Sequence, residues 1–117
     1  MKYFTTDEEM EFLVGHLKST DSVLEYGSGG STVFLQDKVA DIVSIEHDED
    51  WYRQVDDSIS NNVDYYLIPP NNPEWELQHD QFGRKNSKGD DGSFEDFAEY
   101  VTFPLSLGKK YDAIFID

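Results

Sequence analysis

The chain contains no cysteine. Disulfides and thiolate chemistry are therefore excluded, and a cytoplasmic setting is the expectation that fits. Basic residues are scarce: nine Lys and Arg stand against 25 Asp and Glu, giving a formal net charge of -16. A surface of that sign repels phosphate backbones, which argues against nucleic acid as a partner. The acidity reads as a strongly solvated surface rather than as catalytic equipment. No apolar run approaches the roughly 20 residues that cross a bilayer, so no membrane partner is expected. The start of the chain turns acidic at Asp7, Glu8 and Glu9, too early for a signal peptide. Proline occurs four times, and two of the four stand together at Pro69-Pro70, where they end whatever precedes them.

What remains suits one compact domain over residues 1–117, with an aromatic content of 15% to build its core. Residues 6–17 read as a helix, because Met10, Leu13, Val14 and Leu17 recur at i, i+3, i+4 and i+7. Thr6 and Glu9 have capping-box spacing at its start. His16 lies beside that face and takes a structural reading. Val23 to Tyr26 is a first strand, followed by a glycine turn and a helix carrying Val33, Phe34 and Leu35 inward. Ser31 and Thr32 are placed as the hydroxyls that cap it. Ile42 to Glu46 reads as a second strand. Asp48 is expected to cap a helix whose Trp51, Val55 and Ile59 share a face. Val63 to Ile68 is a third strand, halted by the prolines. Residues 71–92 are polar, with Trp75, Leu77 and Phe82 embedded, and read as a long loop, a lid in preference to a disordered stretch. Helical spacing returns over residues 93–103, with Ser93 and Asp96 as a cap pair. Tyr111 to Ile116 is a fourth strand, and Asp117 is the last residue.

Strands alternating with helices predict an α/β, Rossmann-like parallel sheet with helices on both faces, about four strands in the order 3-2-1-4. In such sheets ligands bind beyond the carboxyl ends of the strands. Glu25 with the glycine turn, Glu46, Pro69-Pro70 and Asp117 all fall at those ends. The turn, Tyr26-Gly27-Ser28-Gly29-Gly30-Ser31-Thr32, gives the backbone positive φ where it swings from strand to helix and lets a ligand approach bare N–H groups. Glu46 follows Gly27 by 19 residues, the spacing of an acid that accepts from ribose hydroxyls. The pattern thus predicts a nucleoside site, against the plainer reading of Glu46 as a solvated strand end. A dinucleotide fits less well. Thr32 replaces the third glycine of Gly-x-Gly-x-x-Gly, and Glu25 sets a negative charge near a pyrophosphate. A carboxylate there suits a ligand with a positive end, an ammonium or a sulfonium. The two carboxylates flanking the turn are accordingly expected to form the pocket.

Three stretches, Glu25-Tyr26-Gly27-Ser28-Gly29-Gly30-Ser31-Thr32, Ile45-Glu46-His47-Asp48 and Tyr111-Asp112-Ala113-Ile114-Phe115-Ile116-Asp117, resemble in order the motifs of class I S-adenosylmethionine-dependent methyltransferases. The resemblance implies S-adenosyl-L-methionine as cofactor and methyl transfer to a small-molecule acceptor. It implies that Glu25 and the turn around Gly27 and Gly29 hold the methionine part, that Glu46 grips the ribose, and that His47 lies beside the adenine. Asp117 is a catalytic candidate through this likeness alone, and a metal is not expected from it. The acid or amide that often follows the third strand is replaced by Pro69-Pro70, with Asn71 and Asn72 nearest. The family's sheet has seven strands, so the expectation is the cofactor-binding half of a longer chain. The alternative is a non-catalytic module that dimerises through the open edge of the fourth strand. A nicotinamide-dependent oxidoreductase is the remaining reading, disfavoured by Glu25 and Thr32.

Overall fold

A computed structural model describes residues 6–71 and 95–116. Most of the expected 71–92 loop, together with Ser93 and Asp117, lies outside the described residues. Four parallel strands, β1 (Ser22–Tyr26), β2 (Asp41–Glu46), β3 (Val63–Leu67) and β4 (Ala113–Ile116), form one sheet in the order β3-β2-β1-β4. The order reverses at β1, so β1 and β2 end side by side next to the switch point where such sheets bind ligands. This is the predicted architecture.

Helix α1 (Asp7–Gly15) is shorter than the periodicity suggests. Its cap is the predicted one, with the Glu9 N–H donating to Thr6 Oγ1 at 3.1 Å. Leu17 falls beyond the helix yet still packs on the core. His16 is exposed and bonds the Phe12 carbonyl through its ring, as a structural residue would. Helix α2 (Gly30–Leu35) starts earlier than the expected caps imply, so Gly29 is its cap and Ser31 and Thr32 lie inside it. Helix α3 (Glu49–Asp56) is capped by Asp48, whose Oδ1 accepts the Trp51 N–H at 3.0 Å. A short 3-10 turn, Glu95–Phe97, leads into α4 (Ala98–Ser106).

The period-2 alternation of the strands divides the core between two faces. On one, Val23, Ile42 and Val63 meet Met10 of α1 and Leu35 of α2. On the other, Leu24, Val43 and Ile45 are covered by Tyr100, Phe103 and Leu107 from α4 and its end. Ile42 and Ile45 have no solvent exposure, each worth roughly 1.5–3 kcal/mol relative to an exposed side chain.

Helix α4 carries Pro104 inside it. Proline has no N–H to give the carbonyl four residues back, here Tyr100, and its ring crowds that turn. The adjacent carbonyl, Val101, accepts a hydrogen bond from the Tyr26 hydroxyl at 2.7 Å, which ties α4 to the end of β1. The Asn71 side chain holds the other end by accepting the Glu99 N–H at 2.8 Å. Lysine and aspartate add a surface clasp: Lys109 Nζ lies 2.9 Å from Asp41 Oδ1.

Burial pushes up the hydroxyl pKa of Tyr26, Tyr52, Tyr65, Tyr100 and Tyr111, since an apolar setting disfavours phenolate. An acid whose folded pKa lies above its unfolded value stabilises the fold fully below the unfolded value and loses that contribution as pH rises toward the folded one. The protein is therefore expected to keep these phenols protonated past pH ~10, the unperturbed tyrosine value, and then to unfold and ionise together. Absorbance of phenolate followed alongside circular dichroism checks this. The chain has seven tyrosines, so ionisation of more than two phenols near pH ~10 with circular dichroism intact would contradict it.

Candidate functional site

The site grows from the carboxyl ends of β1 and β2. Gly27 has φ 87° and Gly29 φ 148°, both in the region that side chains rarely adopt, so the turn requires glycine there. A Cβ on Gly29 would also stand 3.2 Å from Cζ2 of Trp51. The turn thus does not meet open space at Gly29; it meets the indole of α3. The indole Nε1–H donates to the Ser28 carbonyl at 2.8 Å, which fixes the turn from outside.

Glu25 points into the first face of the sheet and is 0% exposed. Its Oε2 accepts from Ser31 Oγ at 2.9 Å, and its Oε1 accepts from Ser44 Oγ at 2.7 Å and from the Thr32 hydroxyl. Ser44 stands opposite Glu25 in the β1–β2 register, so the pleat brings them to one side. Thr32 Oγ1 also accepts the N–H of Gly29 at 3.1 Å. A relay therefore runs from the turn backbone through Thr32 to the Glu25 carboxylate. The expectation that Glu25 opens onto a ligand's positive end meets a correction here: three of the protein's own hydroxyls surround it, and burial closes it off.

Glu46 is 4% exposed and faces the turn. Its Oε1 accepts the Ser28 N–H at 2.9 Å and the Ser28 hydroxyl at 2.7 Å. Its Oε2 accepts the N–H groups of His47 at 3.2 Å and Asp48 at 3.1 Å. The Ser28 hydroxyl is shared with Tyr65, whose phenol oxygen lies 2.5 Å away. The two carboxylates thus do not face one another across an open pocket. One is built into the sheet and one addresses the turn.

An aromatic group gathers at the same rim. The His47 ring stands edge-on to Phe97 at 5.2 Å and to Tyr100 at 5.3 Å, and Tyr100 meets Tyr26 at 5.4 Å. Burial raises the Tyr100 pKa first, the carboxylates of Glu46 and Glu25 and the Tyr26 hydroxyl add to this, and the Gly27 backbone opposes it as a hydrogen-bond partner. Burial likewise leads at Tyr65, opposed by the Ser28 hydrogen bond and assisted by Glu46, Tyr52 and Glu25.

Of the residues singled out in the sequence, Gly27, Ser28, Gly29 and Glu46 come together directly, with His47 beside them. Ser31 and Thr32 serve Glu25 from within α2. Tyr26 turns to the opposite face of the sheet, as its alternation with Glu25 requires. Trp51, Tyr65 and Tyr100 converge on the site from α3, β3 and α4. No local pattern along the chain marks them for the site beyond the aromatic character of their segments. Among the described residues, no group of three His, Cys, Asp or Glu side chains could hold a metal ion. No helix among them is long and apolar enough to cross a membrane.

A methyltransferase-like protein from Silicibacter pomeroyi DSS-3, known from its crystal structure, shares this fold with a TM-score of 0.62 at 19% sequence identity. The match covers 99% of this chain and 60% of that one, so the chain spans about three-fifths of the length of that structure. No family model matches the chain, and no curated protein matches it.

Proposed function

We propose that this domain binds S-adenosyl-L-methionine and acts as the cofactor-binding half of a methyltransferase for a small-molecule acceptor. The observation that carries the reading is the seating of Glu46 on the glycine turn, with the Ser28 N–H 2.9 Å from its Oε1 at the carboxyl ends of adjacent parallel strands. The fold shared with a methyltransferase-like protein supports it.

The donors and acceptors present suit such a ligand at Glu46. A carboxylate accepts a ribose hydroxyl, and only the Ser28 hydroxyl must yield to admit one. Glu25 takes a different part from the one the resemblance implies. It braces Ser31 and Thr32 and thereby shapes the turn that lies against the methionine end. His47, held edge-on by Phe97 and Tyr100, is the residue this reading sets beside the adenine. When bound, the cofactor supplies a methyl group already activated for displacement by its sulfonium. The chain's own work is to orient that group and shed water from the rim. A general base is required only for an acceptor that must lose a proton. Asp117, the candidate for that role, lies outside the described residues.

Calorimetry tests the reading. S-adenosylhomocysteine is expected to bind saturably, with one molecule per chain and with no displacement by nicotinamide adenine dinucleotide. Displacement by the dinucleotide would favour the oxidoreductase reading instead.

One observation favours a second reading, a module that associates through its sheet edge. Ile114 is 61% and Ile116 77% exposed on β4, beside exposed Val101 and Leu105 of α4. An edge strand with an apolar face is prone to pair with another chain. Light scattering decides between them: this reading expects a dimer, and a clean monomer at micromolar concentration removes it.

A further inference from the structure

Ser28 occupies the carboxylate that the ligand needs. A carboxylate offers about four lone-pair sites. At Glu46 all four have partners: the Ser28 N–H and hydroxyl on Oε1, and the His47 and Asp48 N–H groups on Oε2. A ribose hydroxyl can enter only by replacing one of them. The three N–H groups belong to the backbone and cannot turn away without breaking the turn or the start of α3. The Ser28 hydroxyl can leave by rotation about one side-chain bond. It also has a second partner to retain, the phenol of Tyr65 at 2.5 Å.

Resting on the reading of Glu46 as a ribose-binding residue, we propose that Ser28 is a built-in competitor for that carboxylate, so that binding is coupled to release of the Ser28 hydroxyl. In the absence of ligand the contact fills the fourth acceptor site of a carboxylate that is almost wholly buried. On binding, a ligand hydroxyl takes the place of the serine hydroxyl on Oε1. The exchange lowers affinity by about the net worth of one hydrogen bond. It also makes the site selective for ligands with a ribose hydroxyl, because a ligand without one leaves the serine in place.

The test is a set of calorimetric titrations with S-adenosylhomocysteine on the folded wild-type chain and on Ser28→Ala, Tyr65→Phe and Glu46→Ala. Ser28→Ala is expected to bind roughly 3- to 10-fold more tightly, the range of one net hydrogen bond. Tyr65→Phe removes a partner of the Ser28 hydroxyl and leaves that hydroxyl to Glu46 alone, so it is expected to bind more weakly than wild type. In competition, adenosine should share the gain of Ser28→Ala and 2′,3′-dideoxyadenosine should not, a distinction that a merely structural role for Ser28 would not produce. Weaker or unchanged binding by Ser28→Ala, with Glu46→Ala impaired, overturns the competitor and leaves the ribose-binding role of Glu46 standing. Unchanged binding by Glu46→Ala overturns that role and the competitor with it. If Ser28→Ala fails to fold, Tyr65→Phe decides: weaker binding supports the competitor, and unchanged or tighter binding overturns it.

Discussion

Glu25→Ala is expected to destabilise the domain by on the order of 2–5 kcal/mol, from hydroxyls left without their acceptor and from the void that the side chain leaves. Glu25 is fully buried and is the common acceptor for Ser31, Thr32 and Ser44. Alanine leaves three hydroxyls without that acceptor and a void where the side chain stood. A buried polar group deprived of its partner costs about 1–3 kcal/mol, and the void adds to that. Small domains have total stabilities of only about 5–15 kcal/mol, so the variant should sit near the limit of folding. Glu25→Gln keeps the volume and one carbonyl acceptor, and should lose less than Glu25→Ala. Denaturant unfolding monitored by circular dichroism measures both. A Glu25→Ala protein as stable as wild type would show that the carboxylate does not organise the turn.

The second large effect concerns binding. Glu46→Ala should weaken S-adenosylhomocysteine by roughly 10- to 100-fold, because a hydrogen bond to a charged group is worth ~1.5–3 kcal/mol and the site admits one ligand hydroxyl in place of that of Ser28. Glu46 also holds the N–H groups of Ser28, His47 and Asp48, so part of the loss would come from a loosened turn. Glu46→Gln separates the two contributions. It retains an acceptor and the approximate shape, and should fall between wild type and alanine in affinity while melting close to wild type. Equal affinities for all three proteins would remove Glu46 from the site.

Much of this arrangement is legible along the chain because it is local. The Thr6 and Asp48 caps, the β-branched strand at Ile42 to Ile45 and the stop at Pro69-Pro70 each depend on residues a few positions apart. The parallel order follows from alternating elements and short connections. The position of the Glu25 side chain was not legible for a different reason. Its burial depends on Ser44, which is adjacent only once the β1–β2 register is set. A carboxylate at a strand end reads equally well as open or enclosed until its neighbours are known. Ser31 and Thr32 show a smaller version of the same limit. Hydroxyls near a helix start suggest caps, but the positive φ of Gly29 let the helix begin earlier and carried both into its first turn. Trp51, Tyr65 and Tyr100 reach the rim from three elements, and no spacing within one segment encodes that convergence.

The central claim is that Glu46 receives the ribose of a sulfonium-bearing nucleoside at the glycine turn. A structure of the folded chain bound to S-adenosylhomocysteine tests it most directly. The account predicts a ribose hydroxyl within hydrogen-bonding distance of Glu46 Oε1, in the place of the Ser28 hydroxyl, which is turned away toward Tyr65. A ligand bound elsewhere, with the Ser28 hydroxyl still donating to Glu46, would contradict it.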